Sequence, residues 1–406
     1  MYDVIVVGAG PGGAATSYYL ARQGAQVLLL DKSNFPRDKT CGDGLGPRAI
    51  TVLDNMGLLD SVAQKARRVN QIGIYAPNGN KLLAQVPQQP EVVDYALVLP
   101  RLILDNLIVE GAARAGVTFK APVHVSDVDH EPAGVVVKGE ASGRAFEERG
   151  RCMVIATGAN TRLLVRSGLL PQPPRTMVAA RAYFEGVEQA AGDLEFHFDG
   201  VPLPGYGWVF PVAGGGANIG AGVYRAAPGA TTAPISSHGV FGAFVKTIFE
   251  KRLRGAAQTG PAKAFPLRID FLEAHLHGDR IFAVGEAAGL VNPLTGEGID
   301  YALESGRLAA AYLMGLLAEQ NFDAQHCAGY SQVLNNRYRH QFRFLTMVAK
   351  LLLNRPMLNK AVKAAANQVN YRNLLVEVAM GNRRVSPASS AYVLAKLALG
   401  SIAWSL

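Results

Sequence analysis

Apolar positions along this chain repeat with three spacings, and each spacing belongs to a different kind of element. Unbroken runs at Tyr2-Asp3-Val4-Ile5-Val6-Val7, Val27-Leu28-Leu29-Leu30, Met153-Val154-Ile155 and Ile281-Phe282-Ala283-Val284 read as buried strands of a mostly parallel sheet. Three- and four-residue spacing predicts helices over Ala14–Gln23, Pro47–Ala66, Leu102–Ala115 and Asp300–Leu313. In the second of these, Ile50, Leu53, Met56 and Leu59 share a face. Alternation of apolar and polar residues over Val69–Pro90, around the turn Pro77-Asn78-Gly79-Asn80, predicts a hairpin of a second, antiparallel sheet. The same period returns at Ala179–Phe184, Leu194–Phe198, Gly207–Val212 and Ala217–Val223, with further strands over Val117–Val137. The expected fold is α/β: a three-layer, Rossmann-like domain from 1–68, 98–170 and 270–336, with an inserted antiparallel-sheet domain from 69–97 and 171–269. A helical segment, 337–406, closes the chain.

Two of the buried strands end on glycine loops. The first runs into Gly8-Ala9-Gly10-Pro11-Gly12-Gly13, where Gly8 makes the tight turn, Gly10 admits a pyrophosphate and Gly13 allows close helix–strand packing. Asp31 ends the next strand 18 positions after Gly13, placed to accept from adenosine ribose hydroxyls. Strand, fingerprint, helix and acid together predict a dinucleotide site. The second loop, Gly285-Glu286 to Gly298-Ile299, carries Gly289, Pro293 and Gly296 and precedes a helix start, which favours anionic groups.

With Pro36-Arg37-Asp38-Lys39-Thr40-Cys41-Gly42-Asp43-Gly44 and Tyr206-Gly207-Trp208-Val209-Phe210-Pro211, these loops make a more specific combination than the fingerprint alone. The chain resembles the geranylgeranyl reductase family of FAD-dependent oxidoreductases, which have the hydroxybenzoate-hydroxylase-like fold. The resemblance implies an FAD held by Gly8 to Gly13, Asp31, Lys32, Arg37, Cys41, Gly42, Gly44, Arg101, Val125 beside the adenine, Thr157, Gly158, Gly285, Glu286, Pro293, Gly296, Gly298 and Ile299. Asp105, one turn after Arg101, is placed to position it. Thr157 and Glu286 stand where the family has aspartate. Asp43 either binds ribityl or holds its turn. Arg37 and Lys39 are placed to neutralise phosphates.

Tyr206, Trp208 and Phe210 are two apart, so on a strand they project from one face as a wall about 14 Å long. Gly205 and Gly207 are expected to leave the opposite face bare. Flavin halogenases carry a related motif with Trp and Ile where this chain has Tyr206 and Phe210.

Hydrophobic residues make up 49% and charged residues 18% of the 406, with no uncharged apolar run of membrane-spanning length. The three cysteines, Cys41, Cys152 and Cys327, are far apart and suit a reducing cytoplasm. The chain begins in a strand, so no leader is expected. The eight histidines show no metal-site spacing. Net charge is +8, yet 337–406 holds eleven Lys or Arg against the single acid Glu377, leaving −2 for the remainder. Such a tail suits lipid headgroups or an acidic electron-donor protein, and nothing resembles a nucleic-acid module. Within it, Arg339–Leu353 is expected to place His340, Phe344, Met347 and Leu351 on one helix side beside Arg339, Arg343 and Lys350, and Ala391–Trp404 to form a second helix. These helices suit shallow attachment to the inner face of the cell membrane, or a cap over the substrate cleft.

The chemistry implied by the resemblance is saturation of isolated C=C bonds in a polyprenyl chain carried on a diphosphate, lipid, quinone or chlorophyll-type ester. Hydride would come from flavin N5 and a proton from Tyr206 or Cys41, with Trp208 and Tyr206 faces stabilising cationic character. NAD(P)H or reduced ferredoxin would supply electrons. Alternatives are an FAD monooxygenase or halogenase of an aromatic metabolite, and a membrane-surface flavoprotein that carries electrons.

Overall fold

A computed structural model describes residues 1–86, 88, 93–187, 193–224, 236–252, 255–381 and 385–400. Its first sheet has eight strands, with the core order His277–Gly278, Ile281–Ala283, Arg144–Ile155, Tyr2–Val7, Val27–Leu30, Thr118–Lys120. The five strands from Ile281–Ala283 to Thr118–Lys120 run parallel, in registers that put Val4 beside both Val27 and Cys152, and Met153 beside Ile281. Residues 4–7, 27–30, 152–155 and 281–283 are buried on both faces, which is why they read as apolar runs rather than alternation. The antiparallel pair His124–Glu131 and Gly134–Ala141 extends from the long strand Arg144–Ile155.

Helix Pro11–Ala21 starts directly after the first strand, with Gly10 extended ahead of it and Pro11 in its first turn. It packs against Ile299–Glu319 at backbone contact: a Cβ on Gly306 would lie 2.6 Å from the Gly12 carbonyl oxygen. The helix expected over Pro47–Ala66 is two, Pro47–Asn55 and Leu59–Ala63. Gly57, at φ 68°, turns the chain between them, while Ile50, Leu53 and Met56 stay buried as the pattern required.

The second sheet also has eight strands, including the hairpin Gln71–Tyr75/Lys81–Gln85 and the strands Thr176–Glu185, Asp193–His197, Gly205–Pro211 and Ala217–Tyr224. Its pairings are antiparallel except that Asp193–His197 runs parallel to Gln71–Tyr75. Those two strands come from separate insertions, joined through the other sheet, so no tight hairpin constrains their direction. A three-stranded sheet of Gly44–Leu45, Ala96–Val98 and Arg67–Val69 lies between the two units; its strands are too short for any period to reveal.

Beyond residue 320 the chain is helical: Ala324–Leu334, His340–Leu352, Arg355–Asn367, Val369–Ala379 and Pro387–Leu399. The expected helix around 339–353 exists, but its inward face is Phe344, Leu345, Val348 and Leu352, and Met347 is 43% exposed. The buried stripe is rotated from the expected one because it must meet the second sheet's core, which these residues join. The last helix begins at Pro387 behind a Ser386/Ser389 capping box and ends at Leu399; Trp404 lies outside the described residues. Among the described residues no helix is long and apolar enough to cross a membrane.

Candidate active site

The glycine loop is built as its spacing required. Gly8 sits at φ 105°, and a Cβ on Gly13 would lie 1.8 Å from the Gly8 carbonyl oxygen. At Gly10 an added Cβ would meet only two guanidiniums within 4 Å, Arg37 at 3.7 Å and Arg101 at 3.9 Å. Asp105 aims both cations: it accepts from Arg101 Nε at 2.6 Å and Nη2 at 2.8 Å, and pairs with Arg37 Nη1 at 3.1 Å. Backbone N–H groups at a helix start and two anchored guanidiniums thus converge on one space, an arrangement suited to two linked phosphates.

Asp31 is partly occupied by the loop itself. Its Oδ2 accepts from Ala9 N at 2.8 Å and its Oδ1 from Ser33 N at 2.9 Å, so it braces the turn as well as lining the cavity. Lys32, Val125, Thr157, Gly158 and Glu286 also line it. Thr157 spends its hydroxyl on the Asn160 carbonyl, 2.8 Å away. Glu286 accepts from Arg268 N at 3.2 Å, and its carboxylate stands beside Gly158.

The second glycine bend is held by the inserted sheet. Tyr206 donates its hydroxyl hydrogen to the Thr295 carbonyl and Tyr224 to the Pro293 carbonyl. Asn292 closes the bend, accepting at its side chain from Leu294 N at 2.8 Å. Leu294, Gly296, Glu297, Gly298 and Ile299 line the cavity, whereas Pro293, Ala9 and Gly13, expected at the cofactor, do not.

Between the two bends lies the Cys41 loop. Its thiol accepts from Asp43 N at 3.4 Å, and burial pushes that thiol up. Gly42 lies against the aromatic wall, where a Cβ would be 3.0 Å from the Phe210 ring. Asp43, at φ 66°, does not line the cavity and instead holds the turn. It accepts from Tyr183 Oη at 2.6 Å, Asn218 Nδ2 at 2.7 Å and Arg101 N at 3.3 Å. Asn218 also donates to the Cys41 carbonyl at 2.7 Å and accepts from Trp208 Nε1 at 2.9 Å. Burial pushes Asp43 up to about 6, against the opposing pull of Tyr183 and Asn218. Tyr183 and Asn218 went unnoticed in the sequence; the available signal was a lone amide inside the apolar strand Ala217–Tyr224.

Tyr206, Trp208 and Phe210 do share one face and line the cavity, with Phe196 from the next strand 5.3 Å from Phe210 and 5.7 Å from Tyr206. The opposite face is not bare. At Gly207 an added Cβ would lie 2.3 Å from the Phe244 ring, because the helix Ser237–Arg252 packs there. Room for the wall comes instead from Gly220 on the paired strand: a Cβ there would be 2.1 Å from the Trp208 ring. Facing the wall are Leu353, Val362, Val376 and Met380 from the C-terminal helices. The whole forms one cavity of about 990 Å³, polar at the glycine loop and apolar beyond the Cys41 loop.

Residues 1–181 match the model of an FAD binding domain. A menaquinone reductase of Mycolicibacterium smegmatis is 30% identical over 94% of this chain and 91% of its own length. The chain belongs to the geranylgeranyl reductase family of FAD-dependent oxidoreductases. A digeranylgeranylglycerophospholipid reductase of Methanopyrus kandleri is 29% identical over 86% of this chain and 90% of its own. In fold, a geranylgeranyl bacteriochlorophyll reductase-like protein of Thermoplasma acidophilum superposes with a TM-score of 0.81, at 21% identity, covering 98% of this chain and 99% of that one. The residues here fit the family's cofactor: the open backbone at Gly10, flanked by Arg37 and Arg101, is a cradle that a side chain would fill. This reductase-family chain is therefore an FAD-dependent oxidoreductase.

Proposed function

We propose that this protein saturates isolated C=C bonds of an isoprenoid chain carried by a quinone, lipid, diphosphate or chlorophyll-type ester. The observation that carries this reading is the continuity of the cavity, which leads from the phosphate cradle past Cys41 and Trp208 into an apolar cleft. A prenyl chain gains roughly 0.8 kcal/mol per methylene buried there and needs no hydrogen bonds to hold it. In this reading residues 1–68, 98–170 and 270–336 hold FAD, 69–97 and 171–269 hold substrate, and the helices of 337–406 cover the cleft. FAD, once reduced by NAD(P)H or a ferredoxin, supplies the hydride.

The chain's own residues orient the alkene and exclude water. Trp208, fixed by Asn218, presents a ring face toward a carbon that gains positive character on protonation. Tyr206 anchors the bend through Thr295. The Cys41 thiol, pushed up by burial, stays neutral beside them. Arg343, Met347 and Lys350 are exposed together on the outer side of their helix, supporting contact with an anionic membrane surface or an acidic donor protein.

The deciding experiment supplies reduced protein with menaquinone and with geranylgeranylated lipids and follows mass gains of two hydrogens per bond. Absence of any such gain, with added FAD bound, overturns the proposal. Unchanged turnover in Cys41→Ala or Tyr206→Phe removes that residue from the chemistry. Equal sedimentation of wild type and a Lys350→Glu variant with anionic vesicles removes the membrane contact.

A further inference from the structure

Reduction of an alkene consumes a proton as well as a hydride, and beside the second glycine bend lies a buried set of ionisable groups that nothing above has used. Glu297, on the cavity wall, accepts from Asp300 N at 2.7 Å through Oε1, while its buried Oε2 has no hydrogen-bond partner. Asp300 accepts from Gly46 N at 3.2 Å through Oδ1, and its Oδ2 is likewise unpartnered. Arg48 lies across the Tyr301 ring at 4.5 Å, with Nε 4.0 Å from Asp300 Oδ2 and neither Nε nor Nη2 hydrogen-bonded. The Tyr301 hydroxyl, also buried, has no partner. The Tyr301 hydroxyl and the Arg48 guanidinium meet at Gly381, where an added Cβ would lie 2.9 Å from Tyr301 Oη, 3.1 Å from Arg48 Nη2 and 3.4 Å from Asn292 Nδ2.

The cluster holds more negative charge than its cations balance. The neighbouring Glu304 is satisfied by Arg337 at 2.7 Å and Tyr338 at 3.0 Å. Arg48 is then left to balance both Glu297 and Asp300. Two adjacent carboxylates sharing one cation in a dry site do not both ionise. Burial and the Asp300 charge both push Glu297 up, and Arg48 opposes them less strongly. Burial pushes up the Tyr206 phenol on the aromatic strand, and Glu297, after Tyr224 and Cys41, is close enough to add to that push.

We propose that Glu297 holds, as a neutral carboxylic acid, the proton that alkene reduction consumes, with Asp300 and Arg48 as positioning residues on the path by which solvent restores it. This rests on the isoprenoid reading above. In the balanced step, one alkene carbon takes the hydride supplied by the reduced cofactor and the other takes the Glu297 proton. The π bond, the carboxyl O–H and the bond that held the hydride in the reduced cofactor are lost as two C–H bonds form. Water then reprotonates the carboxylate past Arg48, whose side chain is 14% exposed.

Glu297→Gln is the sharpest probe, since the amide oxygen still accepts from Asp300 N and so preserves the bend. The expected result is unchanged FAD content and a turnover lower by roughly 10²-fold or more, the usual contribution of a positioned acid. In infrared titration of the flavin-free protein, a neutral carboxyl band present at pH 7 should vanish in this variant. Asp300→Asn, which removes the neighbouring charge, should move the high-pH fall in turnover to lower pH. Turnover of Glu297→Gln within about twofold of wild type, or a carboxyl band that persists in it, overturns the assignment. An unmoved pH limb in Asp300→Asn removes the positioning role. A wild type that reduces no isoprenoid overturns the functional reading instead, while the infrared band still decides whether Glu297 holds the proton.

Discussion

The two ends of the cavity are built by opposite means. At the glycine loop, the surface is made by backbone N–H groups, two arginines on one aspartate, and the absence of side chains at Gly8, Gly10 and Gly13. At the far end it is made by side chains alone: Trp208 and Phe210 on one wall, Val362 and Val376 on the other. On the proposed reading, the first end accepts one shape and charge pattern and fails if an atom is added. The second accepts anything apolar of suitable length and changes in proportion to its volume. A single chain can therefore hold its cofactor rigidly while its relatives carry names for substrates as different as a quinone and a glycerophospholipid.

The contrast can be broken most severely at the cradle. Gly13→Val places its Cβ 1.8 Å from a carbonyl oxygen, so the purified protein should be colourless and FAD titration should show no saturation. Flavin retained at near wild-type affinity would show that the loop tolerates side chains after all.

At the joint between the two ends, Asp43 predicts a pH effect. Its folded value of about 6 lies above the ordinary aspartate value of 3.8, so the proton is bound more tightly in the folded protein. The associated stability is full below about pH 4 and is lost as pH rises through 6, a change on the order of 3 kcal/mol. Thermal melts of wild type should weaken from pH 5 to pH 7.5 more than those of Asp43→Asn; parallel profiles would refute this origin.

Arg101→Ala should raise the FAD dissociation constant roughly 30-fold, equivalent to about 2 kcal/mol for a lost charged hydrogen-bonding partner, without changing which prenyl lipids are reduced. The reverse is expected of Ala379→Phe, because Ala379 also lines the cavity from the C-terminal helices and a larger side chain there narrows it. It should lower kcat/KM for long prenyl substrates about tenfold, roughly 1.4 kcal/mol, and leave FAD affinity alone. If each variant moved both quantities equally, the two ends would not be separable.

Much of the cradle was legible because its requirements are local. Gly8 to Gly13 and Asp31 lie on consecutive elements, and the physical demand on each is met by residue type and spacing. Arg101 was legible only through family likeness, and its partner Asp105 through helix spacing, because the contacts that matter cross to Arg37 and Gly10. Asp43 was ambiguous, since the network that ties it to Tyr183 and Asn218 spans more than a hundred positions. The bare face expected behind Gly207 was a misreading of the same kind: a glycine in a strand shows that something comes close, here Phe244, without saying what.

By itself the chain determined the kinds of element that build each sheet, the glycine turn that marks a dinucleotide fold, and that an aromatic row shares one face. Each follows from periodicity or from backbone freedom at named glycines, which neighbours in sequence suffice to set. Tertiary structure alone decided that the basic tail turns its apolar faces onto the cleft, that Tyr206 and Tyr224 hold the second bend, and that Glu297 is left with an unpartnered oxygen. Those outcomes depend on which surfaces meet, and burial, unlike periodicity, is a property of the pair of surfaces rather than of either segment.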